Sequence, residues 1–123
     1  MATLTPTLTL TSSDMNGDAL NLSATDSLSI LGQVTTKQVV TSVTAAVFAA
    51  NGGYTKSYVY LKNLSSTATE IIYIRTATGG TDVMDLGAGE WVFFPWSADV
   101  DLAYDAAVGT PTLEVRIFQE TAA

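Results

Sequence analysis

A chain of 123 residues, 47% of them hydrophobic, has material for one compact core and too little for two. Cysteine and histidine are both absent, which excludes a disulfide framework, a thiolate metal cluster, a thiol nucleophile and the commonest general base and metal ligand. The net charge of −7 comes from twelve acids against five bases, and Lys37, Lys56, Lys62, Arg75 and Arg116 are scattered, so the clustered cations that neutralise phosphates are missing and no nucleic-acid partner is expected.

From the start of the chain, Ala2 to Thr11 alternates Thr with Leu or Pro, which places Leu4, Leu8 and Leu10 on one face of an extended segment. Pro6 stands in the leucine register and has no N–H to donate, so an edge strand or a free arm is expected. The stretch "TSSDMNGDALNLSATDS" is polar and turn-rich and reads as a long loop with room for one short helical turn. Residues 1–26 are therefore expected to form an extended N-terminal arm with a polar loop, and residues 27–123 a β-sandwich domain. The opening residues lack a basic segment followed by a continuous apolar run, and no apolar run approaches the roughly twenty residues of a membrane helix. The expectation is a soluble chain made in a cytoplasm, with no membrane partner.

Period-2 patterning returns at Ser27 with "LSIL" and continues through "KQVVTSVTAAVF", where Val and Thr favour a pleated strand; the Ala-rich "TAAVFAA" also admits a helix. Asn51-Gly52-Gly53 breaks that run. "SYVYLKNL" has Val59 and Leu61 on one face against Tyr58, Tyr60 and Lys62, and "TEIIYIRT" has Ile72 and Ile74 against Ile71, Tyr73 and Arg75, so the two suggest an antiparallel hairpin. "VMDL" is a short strand between the turns "ATGGTD" and "GAG", and "EWVFFPW" is the next. In "DVDLAY", Val100, Leu102 and Tyr104 alternate with Asp99, Asp101 and Ala103; in "TLEVRIF", Leu113, Val115 and Ile117 point inward. Short strands at close spacing with little helical pattern predict an all-β fold, an antiparallel β-sandwich or jelly-roll-like barrel.

Candidate chemistry is sparse. Asp14, Asn16 and Asp18 have the spacing that opens a calcium loop, but Gly17 comes too early and no Glu stands at the twelfth position, so a solvated turn is expected. Asp99 and Asp101 form the wet side of a strand; a calcium ion there has no further support. Glu70, Glu90 and Glu114 are the carboxylates that a glycosidase would need, yet no nucleophile, base and orienting group can be assembled and the short chain leaves little for a cleft. "TGGTD" and "LGAGE" contain glycine but lack the strand-to-helix setting of a phosphate loop, and both read as hairpin turns. No enzyme activity, metal or cofactor is expected.

The aromatic strand remains. Trp91, Phe93 and Pro95 point one way and Val92, Phe94 and Trp96 the other, so both faces are bulky and apolar. One face is expected in the core. The other favours contact with another subunit, aromatic residues being enriched at interfaces, over a sugar-stacking platform beside Asp99 and Asp101. The candidate interface residues are Leu4, Leu8, Leu10, Trp91, Phe93, Trp96 and Phe118.

The "YVYLKNLSSTATEIIYIRT" segment, the run "DLGAGEWVFFPW" with its Leu86, Gly89 and Glu90 turn, and "LEVRIF" near the end together resemble the small structural proteins of tailed bacteriophages over about Tyr58 to Phe118. The resemblance implies a β-sandwich or β-tulip-like domain, dimeric or trimeric and without cofactor. Its partners would be the major capsid protein and copies of itself, on the capsid exterior of a virion made in a host cytoplasm. A capsid decoration (cement) protein that stabilises the shell is the function it favours; the alternative is a glycan- or host-binding module of a head fibre, tail tip or surface protein.

Overall fold

The computed structural model describes residues 2–14 and 19–121, so Asn16, Gly17 and Asp18 of the acidic loop lie outside the described residues. Among those described there are twelve strands and no helix. The chain divides into two compact units, Met1–Gly32 and Gln33–Ala123.

In the first unit β1 (Ala2–Leu4) pairs with β4 (Leu28–Ile30), and β2 (Thr7–Ser12) with β3 (Leu20–Thr25), all antiparallel. The register is continuous: Ala2 faces Ile30, Leu4 faces Leu28, Thr7 faces Thr25, Leu10 faces Leu22 and Ser12 faces Leu20. Pro6 interrupts the ladder without shifting it, because its carbonyl still accepts from the Asp26 N–H at 3.2 Å. The N-terminal segment is thus one long two-stranded ribbon, where an extended arm followed by a polar loop was expected. The sandwich begins later than residue 27 for the same reason: Leu28–Ile30 is committed to Ala2–Leu4. Residues opposite each other share a face, so leucines collect on one side of the ribbon together with Pro6, Ser12 and Asp26, while Thr3, Thr7, Thr9, Thr11, Asn21, Ser23 and Thr25 form the other.

The second unit holds β5 (Thr35–Val40), β6 (Ala46–Ala49), β7 (Ser57–Asn63), β8 (Ile72–Arg75), β9 (Asp82–Leu86), β10 (Trp91–Trp96), β11 (Leu102–Ala106) and β12 (Thr112–Gln119). They form two antiparallel sheets of order β10-β7-β12-β5 and β6-β11-β8-β9. β5 pairs with β12, β6 with β11, β7 with β10 and β8 with β9. A ribbon of two four-strand arms, bent at the β8–β9 turn and rolled into two layers, is the jelly-roll arrangement. The all-β sandwich expectation holds, and the Ala-rich "TAAVFAA" contributes β6 and no helix.

The core lies between the sheets. Val59, Leu61, Leu113, Val115 and Ile117 from one face Ile72 and Ile74 from the other, all fully buried, with Phe48, Leu86, Trp96 and Tyr104 around them. Each such side chain contributes about 1.5–3 kcal/mol of burial free energy before entropy is counted. Val100, expected among the inward residues, is exposed, since it precedes β11.

Two turn assignments change. β7 and β8 do not form a hairpin: residues 64–71 carry the chain from one sheet to the other, and β7 pairs instead with β10 and β12. Likewise "LGAGE" crosses between sheets, from β9 to β10, with Gly89 at φ +78°. Asn63 fastens this end of the sandwich. It is fully buried, its Nδ2 donates to the carbonyls of Glu70 (2.8 Å) and Leu86 (3.0 Å), and its Oδ1 accepts from the Ser65 N–H at 3.0 Å. Its backbone also exchanges hydrogen bonds with Gly89 and Glu90, so one residue ties both crossings to β7.

Candidate functional site

Alternation along three neighbouring strands builds an aromatic surface on the solvent side of the β10-β7-β12-β5 sheet. The registers place Trp91 beside Lys62 and Glu114 in one row, Phe93 beside Tyr60 and Arg116 in the next, and Pro95 beside Tyr58 and Phe118 in the third. Inward neighbours of the same strands fill the core, so the backbone under this surface is rigid. The rings contact one another diagonally: Tyr58 stacks on Phe93 with centroids 6.2 Å apart and planes at 11°, and Tyr60 lies 6.3 Å from Trp91 at 33°. Trp91 remains 54% exposed, Tyr60, Phe93 and Phe118 are half-buried, and Tyr58, at 9% exposed, is buried.

Of the candidate interface residues, Trp91, Phe93 and Phe118 are therefore brought together. Trp96 is a correction: only 4% exposed, it points inward with Val92 and Phe94, as its place in the alternation requires. Its Nε1–H donates to the Val100 carbonyl at 3.1 Å, and its ring meets Tyr54 at 5.7 Å. Leu4, Leu8 and Leu10 share one side of the N-terminal ribbon, with Leu4 half-buried and Leu8 and Leu10 exposed. Tyr58 and Tyr60 complete the aromatic face and were not among the candidates. Their outward position was readable from "SYVYLKNL", but the pairing of β7 with β10 was not.

Three of the chain's five cations border the rings. Arg116 Nη2 lies 3.5 Å from Glu114, and Lys56 Nζ lies 3.2 Å from Glu120 and 5.2 Å from the centre of the Tyr58 ring. The Tyr58 hydroxyl donates to Glu120 Oε1 at 2.5 Å. That bond, and next the Lys56 ammonium, holds the Glu120 carboxyl below its ordinary pKa. The same bond, aided by burial, raises the Tyr58 phenol, and Glu120 raises Lys56.

Other candidate groups have local duties. Glu90 Oε1 accepts from the Gly87 N–H at 2.6 Å, and Glu70 Oε1 accepts from the Ser65 hydroxyl at 2.6 Å. Asp14 Oδ1 accepts from the Ser12 hydroxyl (2.8 Å), and Asp101 Oδ1 from the Asn51 N–H (2.8 Å). On the outer side of the other sheet Arg75 bridges Asp82 and Asp105. Among the described residues no group of three or more Asp or Glu is placed to hold a metal ion. The surface can bury apolar area and stack rings, and charged side chains border it.

No protein-family model and no curated protein matches the chain. Among solved structures it is similar to a chain from work on Bacillus endospore appendages, described as forming a novel family of disulfide-linked pili. The likeness has a TM-score of 0.51 at 17% sequence identity, and spans 76% of this chain and 90% of that one. It is a likeness of fold.

Proposed function

We propose that this chain is a structural subunit of a repeating protein assembly, joined to its neighbours through the aromatic face of the β10-β7-β12-β5 sheet, and most concretely a decoration protein on the capsid of a tailed phage. The observation that carries the proposal is the ring surface itself. Trp91, Phe93, Tyr58, Tyr60 and Phe118 stand on a rigid sheet, with an exposed Trp91 and a polar border. Such a composition matches the centre and rim of protein interfaces. Jelly rolls serve widely as capsid domains, which supports the virion form by analogy. The neighbour described as pilus-forming supports the broader idea of a building block, although the disulfide links named there have no counterpart in a chain without cysteine. Its partners are copies of itself and the major capsid protein, and no catalysis is assigned.

The test is direct. Purified virions should contain the chain in stoichiometric amount, and particles lacking it should lose integrity at lower temperature or lower salt. Mass spectrometry that finds none of it in virions ends the virion form. Trp91→Ala should weaken assembly while circular dichroism remains that of the wild type.

A second reading is favoured by the exposure of Trp91 beside Lys62 and Glu114, a ring with polar neighbours of the kind that stacks on sugars. Glycan-array binding lost in Trp91→Ala, with assembly intact, would transfer the face to that role.

A further inference from the structure

The N-terminal ribbon has a leucine-rich face and a polar face. Leu8, Leu10 and Leu22 are 40%, 44% and 44% exposed, all on one side, while the opposite side is Thr, Ser and Asn with a Thr25–Thr7 hydroxyl bond at 3.4 Å. A two-stranded ribbon is marginal in water without a third layer, so the leucine side needs cover. Its charge narrows what that cover is. Between residues 2 and 36 the chain has only aspartates and no Lys or Arg. Asp26, opposite Pro6 in the continued register, falls by alternation on the leucine side.

The aromatic sheet face has the matching features. It is apolar and bordered by Lys56, Lys62 and Arg116, of which Lys56 pairs with Glu120 and Arg116 with Glu114, so the border keeps an excess of one cation; its rows repeat every second residue, as the leucine rows do. Both surfaces therefore carry side chains at a spacing of about 7 Å along the strand, and two pleated layers of equal spacing interlock at about 10 Å. We infer that the leucine side of the N-terminal ribbon of one copy packs on the aromatic sheet face of a second copy, with Asp26 set against Lys62. This rests on the assembly role given above to the aromatic face and names its occupant. A contact between two different surfaces of the same chain is head-to-tail, and it propagates into a ring or a filament.

The absence of cysteine allows a clean test on the full-length protein. Leu10→Cys and Trp91→Cys are prepared separately, checked for native circular dichroism, mixed at high concentration and oxidised; Leu22→Cys with Phe93→Cys is the second pair, in case one variant misfolds. The expected result is a mixed disulfide dimer several-fold in excess of either self-dimer, reduced about three- to tenfold when Asp26→Lys is added to the ribbon partner. Predominant Trp91→Cys self-dimers would overturn the inference while leaving the aromatic face as an assembly surface. Predominant Leu10→Cys self-dimers, or a disulfide formed within one chain when both substitutions are combined, would also overturn it. If neither pair crosslinks and Trp91→Ala leaves assembly unchanged, the inference and the assembly role of the face both fail.

Discussion

Asn63 and Glu120 illustrate how single polar side chains take on structural work in a chain with few charges. Asn63→Ala strands the Glu70 and Leu86 carbonyls and the Ser65 N–H in a buried corner, so it should lower unfolding free energy by about 3 kcal/mol in urea titration. A loss under about 1 kcal/mol would mean that water replaces the amide. For Glu120 the sign follows from the depressed folded pKa: its contribution is present above the ordinary carboxylate range and is lost as pH falls through the lower folded value. Tyr58 and Lys56 are raised, so their share is present below their ordinary pKa values and is lost as pH rises through the folded ones. The three together contribute between roughly pH 5 and 9. Glu120→Gln should move the Tyr58 phenol titration, read as the wild-type minus Tyr58→Phe difference near 295 nm, to lower pH. An unchanged titration would remove the Tyr58–Glu120 bond from the account.

β7, β8 and β12 were legible because they carry core residues at alternate positions: Val59 and Leu61, Ile72 and Ile74, Leu113, Val115 and Ile117 are all buried as the period-2 pattern requires. Pairing was less legible, since alternation identifies a strand's faces and not its neighbours; hence β7 and β8, adjacent in sequence, looked like a hairpin although they belong to different sheets. β3 was missed for another reason. "LNLSAT" carries Leu20 and Leu22 two apart, but its Asn, Ser and Thr face solvent, and a strand in a two-stranded ribbon lacks the apolar density of a core strand. Of the aromatic candidates, Trp91, Phe93 and Phe118 were legible as an outward set, whereas Trp96 belongs to the inward alternation and the contribution of β7 was not legible. β10 is an edge strand rich in β-forming residues, and Pro95 denies an N–H to any further strand. Pro95→Val should leave melting within about 0.5 kcal/mol of wild type, yet give faster growth of light scattering on heating. Equal scattering would show that the edge is protected elsewhere.

At the scale of the molecule, the two units differ in what stabilises them. All fourteen residues of the buried cluster belong to Gln33–Ala123, and the ribbon contributes none of them. The jelly roll therefore carries its own core of aliphatic and aromatic side chains, while the ribbon, lacking one, depends on whatever covers its leucines. Removing residues 1–32 should leave a folded domain, with a calorimetric midpoint within a few degrees of the full chain, since a change of 1 kcal/mol moves a domain of this size by about 4–8 °C. Under the proposed assembly role, the same truncation should abolish assembly and, in the proposed virion form, attachment, since avidity across repeated copies is lost with the contact. The two readouts separate the roles. Unfolding of the truncated protein would make the ribbon part of the domain's stability, and full assembly without residues 1–32 would leave the ribbon no part in joining subunits.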